Sequence, residues 1–118
     1  MSQVDRKSLE TPDETRKFDK GSVEVVNIGG GTVGRYRFEP GWRWSEHVKP
    51  IAGTDLCQAP HFMYQISGRM RIRTSDGDEQ EVGPGDVAIV SPGHDAWVVG
   101  EEAVTGVDWS GLGEYAKR

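Results

Sequence analysis

The sequence predicts an all-β protein in which short strands close into a barrel. The chain has 118 residues, the size of one domain and enough to enclose a hydrophobic core. Its 16 glycines lie between short runs of β-branched and aromatic residues rather than in one low-complexity block. That arrangement is typical of many short strands joined by tight turns, and no strand–helix alternation of a parallel sheet is present.

The first 20 residues predict a polar arm ahead of the barrel. They mix acidic and basic side chains, show almost no hydrophobic periodicity and contain Pro12, which interrupts a helix. We expect at most a short strand there, around residues 16–18. The barrel is then predicted over residues 21–110, and a C-terminal tail over residues 111–118.

Alternation of apolar and polar side chains predicts the strands of the barrel. The predicted strands are residues 22–27, 32–39, 42–48, 61–66, 69–74, 79–82, 86–90, 95–99 and 104–109. Turn dipeptides such as Pro40-Gly41, Ser67-Gly68 and Pro92-Gly93 separate them, because glycine tolerates the backbone conformations that tight turns require.

A two-residue turn at Gly68 would join two of these strands as a hairpin with distinct faces. His61, Met63 and Gln65 alternate onto one face, which we expect to line the barrel lumen. The other face carries three large apolar side chains, namely Phe62, Tyr64 and Ile66. A second sheet, the N-terminal arm or a partner subunit could cover them, and we predict a homodimer.

The segment from Gly85 to Trp97 has a Gly-Asp turn, an apolar strand and a Pro-Gly turn before another strand. It resembles the second sequence motif of the cupin superfamily, with Gly85 and Gly93 on the two glycines of that motif. The metal-binding histidine of the motif falls on Ala96, which we expect to face the lumen. The resemblance covers roughly residues 22–109 and implies a cupin-type double-stranded β-helix, or jelly-roll, barrel.

The first cupin motif can be aligned with this chain in two ways. Anchored at Gly41, it retains a first histidine at His47 and places Lys49 at the second. Anchored at Gly68, it places His61 where the family has glutamate, and Asp55 and Cys57 where it has the histidine pair. The two alignments are incompatible without an insertion, and the sequence leaves both open.

All three histidines of the chain and its one cysteine fall in or beside the two motif segments. The candidate metal ligands are His47, Cys57, His61 and His94, a set that suits a divalent metal such as zinc or iron. A lumen without a metal stays open as the alternative. We expect His61 to be the most buried histidine, His47 to lie within coordination distance of it, and His94 to be more exposed on its turn.

The resemblance and the side chains together predict a small protein that binds a small, partly apolar molecule in its lumen. Candidate ligand contacts are Arg43, for a carboxylate, together with Met63, Gln65 and Trp97. Glu46, Asp55 and Asp108 could act as a general acid or base if they are buried. Two alternatives remain: a metal-dependent enzyme of oxygenase, isomerase or lyase type, and a dimerising accessory protein without a ligand.

The charge balance argues against polyanionic partners. With 14 basic and 19 acidic residues and a net charge of −5, the chain offers no basic patch for nucleic acid or an anionic membrane. Cys57 is the only cysteine, so no intramolecular disulfide can form. The first residues are polar rather than apolar, and we expect a cytoplasmic protein.

Overall fold

The computed structural model describes residues 4–113 and 115–117. Strands and two helical turns follow one another along these residues: β1 Glu14–Phe18, β2 Gly21–Ile28, β3 Gly31–Phe38, α1 Trp44–His47, α2 Lys49–Ala52, β4 His61–Ser67, β5 Arg69–Thr74, β6 Glu79–Val82, β7 Val87–Val90, β8 His94–Val99 and β9 Val104–Asp108. The predicted all-β class is confirmed. No helix in the described part of the chain is long and apolar enough to span a membrane.

The strands form two facing antiparallel sheets, as in a jelly roll. The larger sheet has the order β1-β2-β3-β9-β4-β7 and the smaller one β6-β5-β8. The short strand predicted in the N-terminal arm is present as β1, which pairs with β2 along its whole length. Residues of the predicted arm therefore contribute to the larger sheet.

The hairpin predicted around Gly68 is wrong, because β4 and β5 belong to different sheets. β4 pairs with β7 and β9, whereas β5 pairs with β6 and β8. Gly68 has a φ of 73°, and a Cβ there would lie 2.5 Å from the carbonyl oxygen of Ala103. The glycine thus lets the chain turn the corner from one sheet to the other.

The strand predicted over residues 42–48 is also wrong. The backbone there forms α1, directly followed by α2, and its only bridge to a strand joins Arg43 to Trp97. Trp44 and Val48 are both buried, and the amide of Val48 donates to the carbonyl oxygen of Trp44 at 2.9 Å. Apolar residues four apart fit one helical turn as well as a strand, and the packing against β8 selects the helix.

The core lies between the two sheets and is rich in aromatic rings. Phe38 stacks on Trp42 with ring centroids 3.8 Å apart and on Tyr36 at 5.3 Å. The inward side chains of β4, Met63 and Gln65, are buried, and its outward side chains are exposed. The predicted division of this strand into two faces is therefore confirmed, although the strand pairing is different.

Candidate functional site

Three side chains of the types that ligate metal ions in proteins converge at one end of the barrel. Cys57, His61 and His94 each offer a ligand atom, and these atoms lie within 4.8 Å of one another. His61 begins β4 and His94 begins β8, so each strand start directs one imidazole to this end. The amide of Cys57 donates to the carbonyl oxygen of His94 at 2.8 Å, which holds the thiol beside that strand.

Hydrogen bonds orient both imidazoles of the cluster. His61 Nδ1 lies 2.5 Å from Asp108 Oδ2, and His94 Nδ1 lies 2.8 Å from the carbonyl oxygen of Ser91. A carboxylate and a carbonyl oxygen only accept, so we assign a proton to Nδ1 of each ring. Nε2 of His61 lies on the other side of its ring, 3.9 Å from Cys57 Sγ.

Asp108 is held in place by backbone amides as well as by His61. Its side chain is almost completely buried. Oδ1 accepts from the amides of Ser110 at 2.9 Å and Gly111 at 3.1 Å. Burial opposes ionisation, but the hydrogen bond from His61 and these amides lower the pKa of the carboxyl below its usual value. A carboxylate held in this way orients the ring that it contacts.

The cluster polarises its own thiol. Burial by itself would raise the pKa of Cys57, but the neighbouring rings of His61 and His94 lower it to about 6. Burial would lower the pKa of His61, but Asp108 and the thiolate raise it to about 9. Each group therefore favours the charged form of the other, the thiolate of Cys57 and the imidazolium of His61.

A small cavity lies beside the cluster, inside the barrel. Its volume is about 30 Å³, room for about one or two water molecules. The lining side chains are mostly aromatic or aliphatic: Tyr36, Phe38, Trp42, Trp44, His61, Met63, Met70, Ile72, His94, Ala96, Asp108, Leu112 and Tyr115. Ala96 lines it and is buried, so the expectation that this residue faces the lumen is confirmed.

The structure does not bring His47 into the cluster. His47 lies in α1, where its Nδ1 is 3.0 Å from the amide nitrogen of Arg43. Its Nε2 lies 3.6 Å from a carboxylate oxygen of Asp19. The helical turn removes the strand alternation that would have directed this ring toward His61. The alignment anchored at Gly68, which contains Cys57 and His61, matches the observed cluster better.

The predicted order of histidine burial is wrong as well. His94 is only 3% exposed, whereas His61 and His47 are half-buried. The turn before β8 is drawn inward by the bridge to Cys57, whose carbonyl oxygen accepts the amide of Gly93 at 2.7 Å. This long-range bridge buries a residue that local sequence places on a turn.

The predicted ligand contacts divide into two groups. Met63 lines the cavity, and Gln65 lies deeper, 0% exposed, where its side chain bonds Tyr36 and backbone carbonyls. Arg43 and Trp97 instead lie together at a surface cleft, with the guanidinium 4.4 Å from the indole ring centre. Along β8 the inward positions belong to His94 and Ala96, so Trp97 faces away from the lumen.

Sequence reasoning missed the tail residues of this site. Leu112 and Tyr115 belong to the predicted C-terminal tail, yet both line the cavity. The sequence gives Asp108 no partner, although this residue ends the last strand, where a carboxylate can meet the start of β4. Only the pairing of β9 with β4 shows that its partner is His61.

Comparisons with known proteins identify the fold. No protein-family model and no curated protein matches the chain. It is similar to a solved sugar phosphate isomerase from a cupin superfamily, from Silicibacter pomeroyi, with 20% identity and a TM-score of 0.62 over 91% of this chain and 75% of that one. A Rhizobium leguminosarum protein of unknown function has 19% identity and a TM-score of 0.61, over 92% and 97% of the two chains.

A third solved structure has the same architecture. It is a polyketide cyclase from Streptomyces resistomycificus, with 15% identity and a TM-score of 0.58 over 92% of this chain and 80% of that one. At such identities the likeness concerns the fold and not the activity. Together with the two antiparallel sheets and the motif around Gly85 and Gly93, it shows that the chain has a cupin-type fold.

Proposed function

We propose that this cupin-type domain binds one divalent metal ion through Cys57, His61 and His94, and a small, partly apolar molecule in the lumen beside it. One observation carries the proposal: Nδ1 of each imidazole donates a hydrogen bond to a protein oxygen, and both rings lie next to a buried thiol. Metal-ligating histidines in proteins are oriented by the same kind of acceptor.

The donor set fits zinc best. Thiolate and imidazole are preferred zinc ligands, and three protein ligands leave one tetrahedral position for water or a ligand atom. Iron is the alternative, since it also accepts imidazole. A bound zinc ion would supply Lewis-acid polarisation of a ligand atom at that position. Asp108 keeps His61 Nε2 available, and the backbone bridge to His94 holds Cys57 beside both rings.

The walls of the cavity support an apolar ligand with a polar atom. Phe38, Trp42 and Trp44 supply aromatic surface. Within the described part of the chain, Trp42 Nε1 is a buried nitrogen without a hydrogen-bond partner. A ligand with a hydrogen-bond acceptor would satisfy it. We assign Met63 to the ligand contacts and Gln65 to their support, and we assign no ligand role to Arg43 or Trp97.

The metal proposal is tested by elemental analysis of untagged protein and by calorimetric titration of metal-free protein with zinc. We expect about one zinc per chain, with binding abolished in His61→Ala and greatly weakened in Cys57→Ser. His47→Ala is the matched control, because His47 is a half-buried histidine outside the cluster. Equal losses in His47→Ala and His61→Ala would overturn the assignment.

We also propose that two copies associate through the outer face of β4 and β7. This face exposes large apolar side chains, namely Phe62, Tyr64, Ile66, Val87 and Ile89, with Trp109 beside Phe62. β7 is an edge strand of its sheet, and an edge with an apolar face favours association.

A thiolate ligand needs a reduced cysteine, which supports a cytoplasmic location.

A further inference from the structure

The C-terminal segment, residues 110–113 and 115–117 of the described chain, enters the barrel mouth after β9. Leu112 and Tyr115 from this segment are buried and line the cavity beside the metal-ligating cluster. The Tyr115 ring lies 6.0 Å from that of His61 and 6.2 Å from that of Phe18, measured between ring centres. The segment thus fills space at the end of the barrel where the candidate ligands converge.

A buried arginine binds the backbone of this segment. Arg16 of β1 has a side chain that is only 8% exposed. Its Nη1 donates to the carbonyl oxygens of Leu112 at 3.0 Å and Tyr115 at 2.7 Å, and its Nη2 donates to that of Gly113 at 2.6 Å. Its remaining donors bind the carboxylate of Glu14. Every N–H of the guanidinium is therefore used, and most of them hold the segment.

The barrel wall is shaped to receive the segment. A Cβ on Gly34 of β3 would lie 2.4 Å from Leu112 Cδ1, so only glycine leaves room for that side chain. A Cβ on Gly111 would lie 1.9 Å from the carbonyl oxygen of Pro60. Gly34 and Gly111 therefore leave the space that the segment needs to enter the barrel.

The segment separates a large outer cleft from the small inner cavity. The cleft has a volume of about 490 Å³ and is lined by Trp44, Cys57 and Tyr115, among others. The inner cavity, at about 30 Å³, shares Trp44 and Tyr115 with it. Pockets for organic ligands have volumes of about 300–1,000 Å³, so the cavity is too small for one while Leu112 and Tyr115 are in place.

We propose that the C-terminal segment is a displaceable plug of the lumen. Leu112 and Tyr115 fill the space beside the inner cavity, and they must move out before a ligand can enter from the outer cleft. The inference rests on the proposed function, since it concerns access to the same lumen. The described residues of this segment belong to no strand, so the segment can move without breaking the pairing of either sheet. The ligand class is a small, partly apolar molecule with an acceptor for Trp42 Nε1.

The test uses benzoate, an aromatic ring with an acceptor carboxylate, and metal-free protein carrying ¹³C-methyl methionine. Met63 and Met70 line the cavity, so their methyl signals report its occupation. We expect benzoate to shift both signals in Arg16→Met at an affinity at least about tenfold higher than in wild type, because affinity scales with the open fraction. Arg35→Met is the matched control, since Arg35 of β3 binds Glu10 and Glu24 rather than the tail.

A second variant covers the case in which Arg16→Met does not fold. Tyr115→Ala keeps the hydrogen bonds from Arg16 to the backbone and removes the side chain that fills the lumen, and it should show the same gain in benzoate affinity. Equal benzoate affinity in wild type, Tyr115→Ala and Arg16→Met would overturn the plug. Zinc titration of the same proteins tests the metal proposal separately. Normal zinc binding without a gain in benzoate affinity would contradict the plug and leave the metal site in place.

Discussion

His61 Nδ1 and Asp108 Oδ2 lie 2.5 Å apart, joining the start of β4 to the end of β9. These residues are far apart in the chain and meet because Met63 pairs with Asp108 in the sheet. The contact turns the other nitrogen of the ring, Nε2, toward Cys57 Sγ. The most direct tests of the site therefore concern this pair.

Replacing Asp108 with asparagine should weaken metal binding without removing a ligand. The Asp108→Asn variant loses the carboxylate that holds the Nδ1 proton of His61, so zinc affinity should fall by about 10- to 100-fold. Calorimetric titration of the folded variant measures the change. Asp86→Asn is the matched control, because Asp86 only accepts an amide hydrogen bond from Gly83 in a turn. Unchanged zinc affinity in Asp108→Asn would contradict the role given to this carboxylate.

The thiol of metal-free protein should ionise at unusually low pH. Cys57 is the only cysteine, so thiolate absorbance reports it alone, and we expect a midpoint at about pH 6 rather than 9.0. The folded-state pKa is the lower one, so the stability contributed by the thiolate is fully present above the unfolded pKa and is lost as the pH falls through about 6.

Replacing His61, the partner of the thiolate, tests why the pKa of Cys57 is low. In His61→Gln the hydrogen bond from the imidazolium is absent while burial remains, so the midpoint of Cys57 should move upward. His47→Gln should leave it in place, since His47 contacts Asp19 and Arg43 instead. A midpoint near the ordinary thiol value in wild type would show that the rings do not stabilise the thiolate.

The buried amide of Gln65 should matter for stability rather than for binding. It accepts from the hydroxyl of Tyr36 at 2.9 Å and donates to the carbonyl oxygens of Gly68 and Val82. Gln65→Leu leaves these groups unsatisfied and should lower the free energy of unfolding by about 2–4 kcal/mol. Urea unfolding measures this free energy, and Gln80→Leu, at an exposed position, is the control. Equal stability of the two variants would show that the amide network contributes little.

Light scattering should detect a dimer at tens of micromolar protein, on the order of the concentrations where weak dimers form. Ile89→Lys places a charge in the middle of the exposed apolar face and should shift the population to monomer. Gln80→Lys adds the same charge to an exposed position on the smaller sheet and should leave the mass unchanged. A wild-type mass equal to that of one chain at this concentration would contradict the dimer.

Local patterns were enough to predict most of the strands and the two faces of β4. The two-residue period of β4 places Met63 and Gln65 inside and Phe62, Tyr64 and Ile66 outside, whichever strand pairs with it. The glycine turns and the motif that places Ala96 in the lumen are equally local. These features depend on backbone geometry over a few residues, and the sequence carries that information directly.

The tertiary structure decided which of the predicted groups meet. Cys57 reaches His94 through a bridge between distant parts of the chain, and His47 leaves the site because its segment forms a helical turn. The tail enters the barrel because Arg16 binds its carbonyl oxygens. Such contacts depend on how the two sheets close around a shared core, and side-chain periodicity along one strand does not specify that closure.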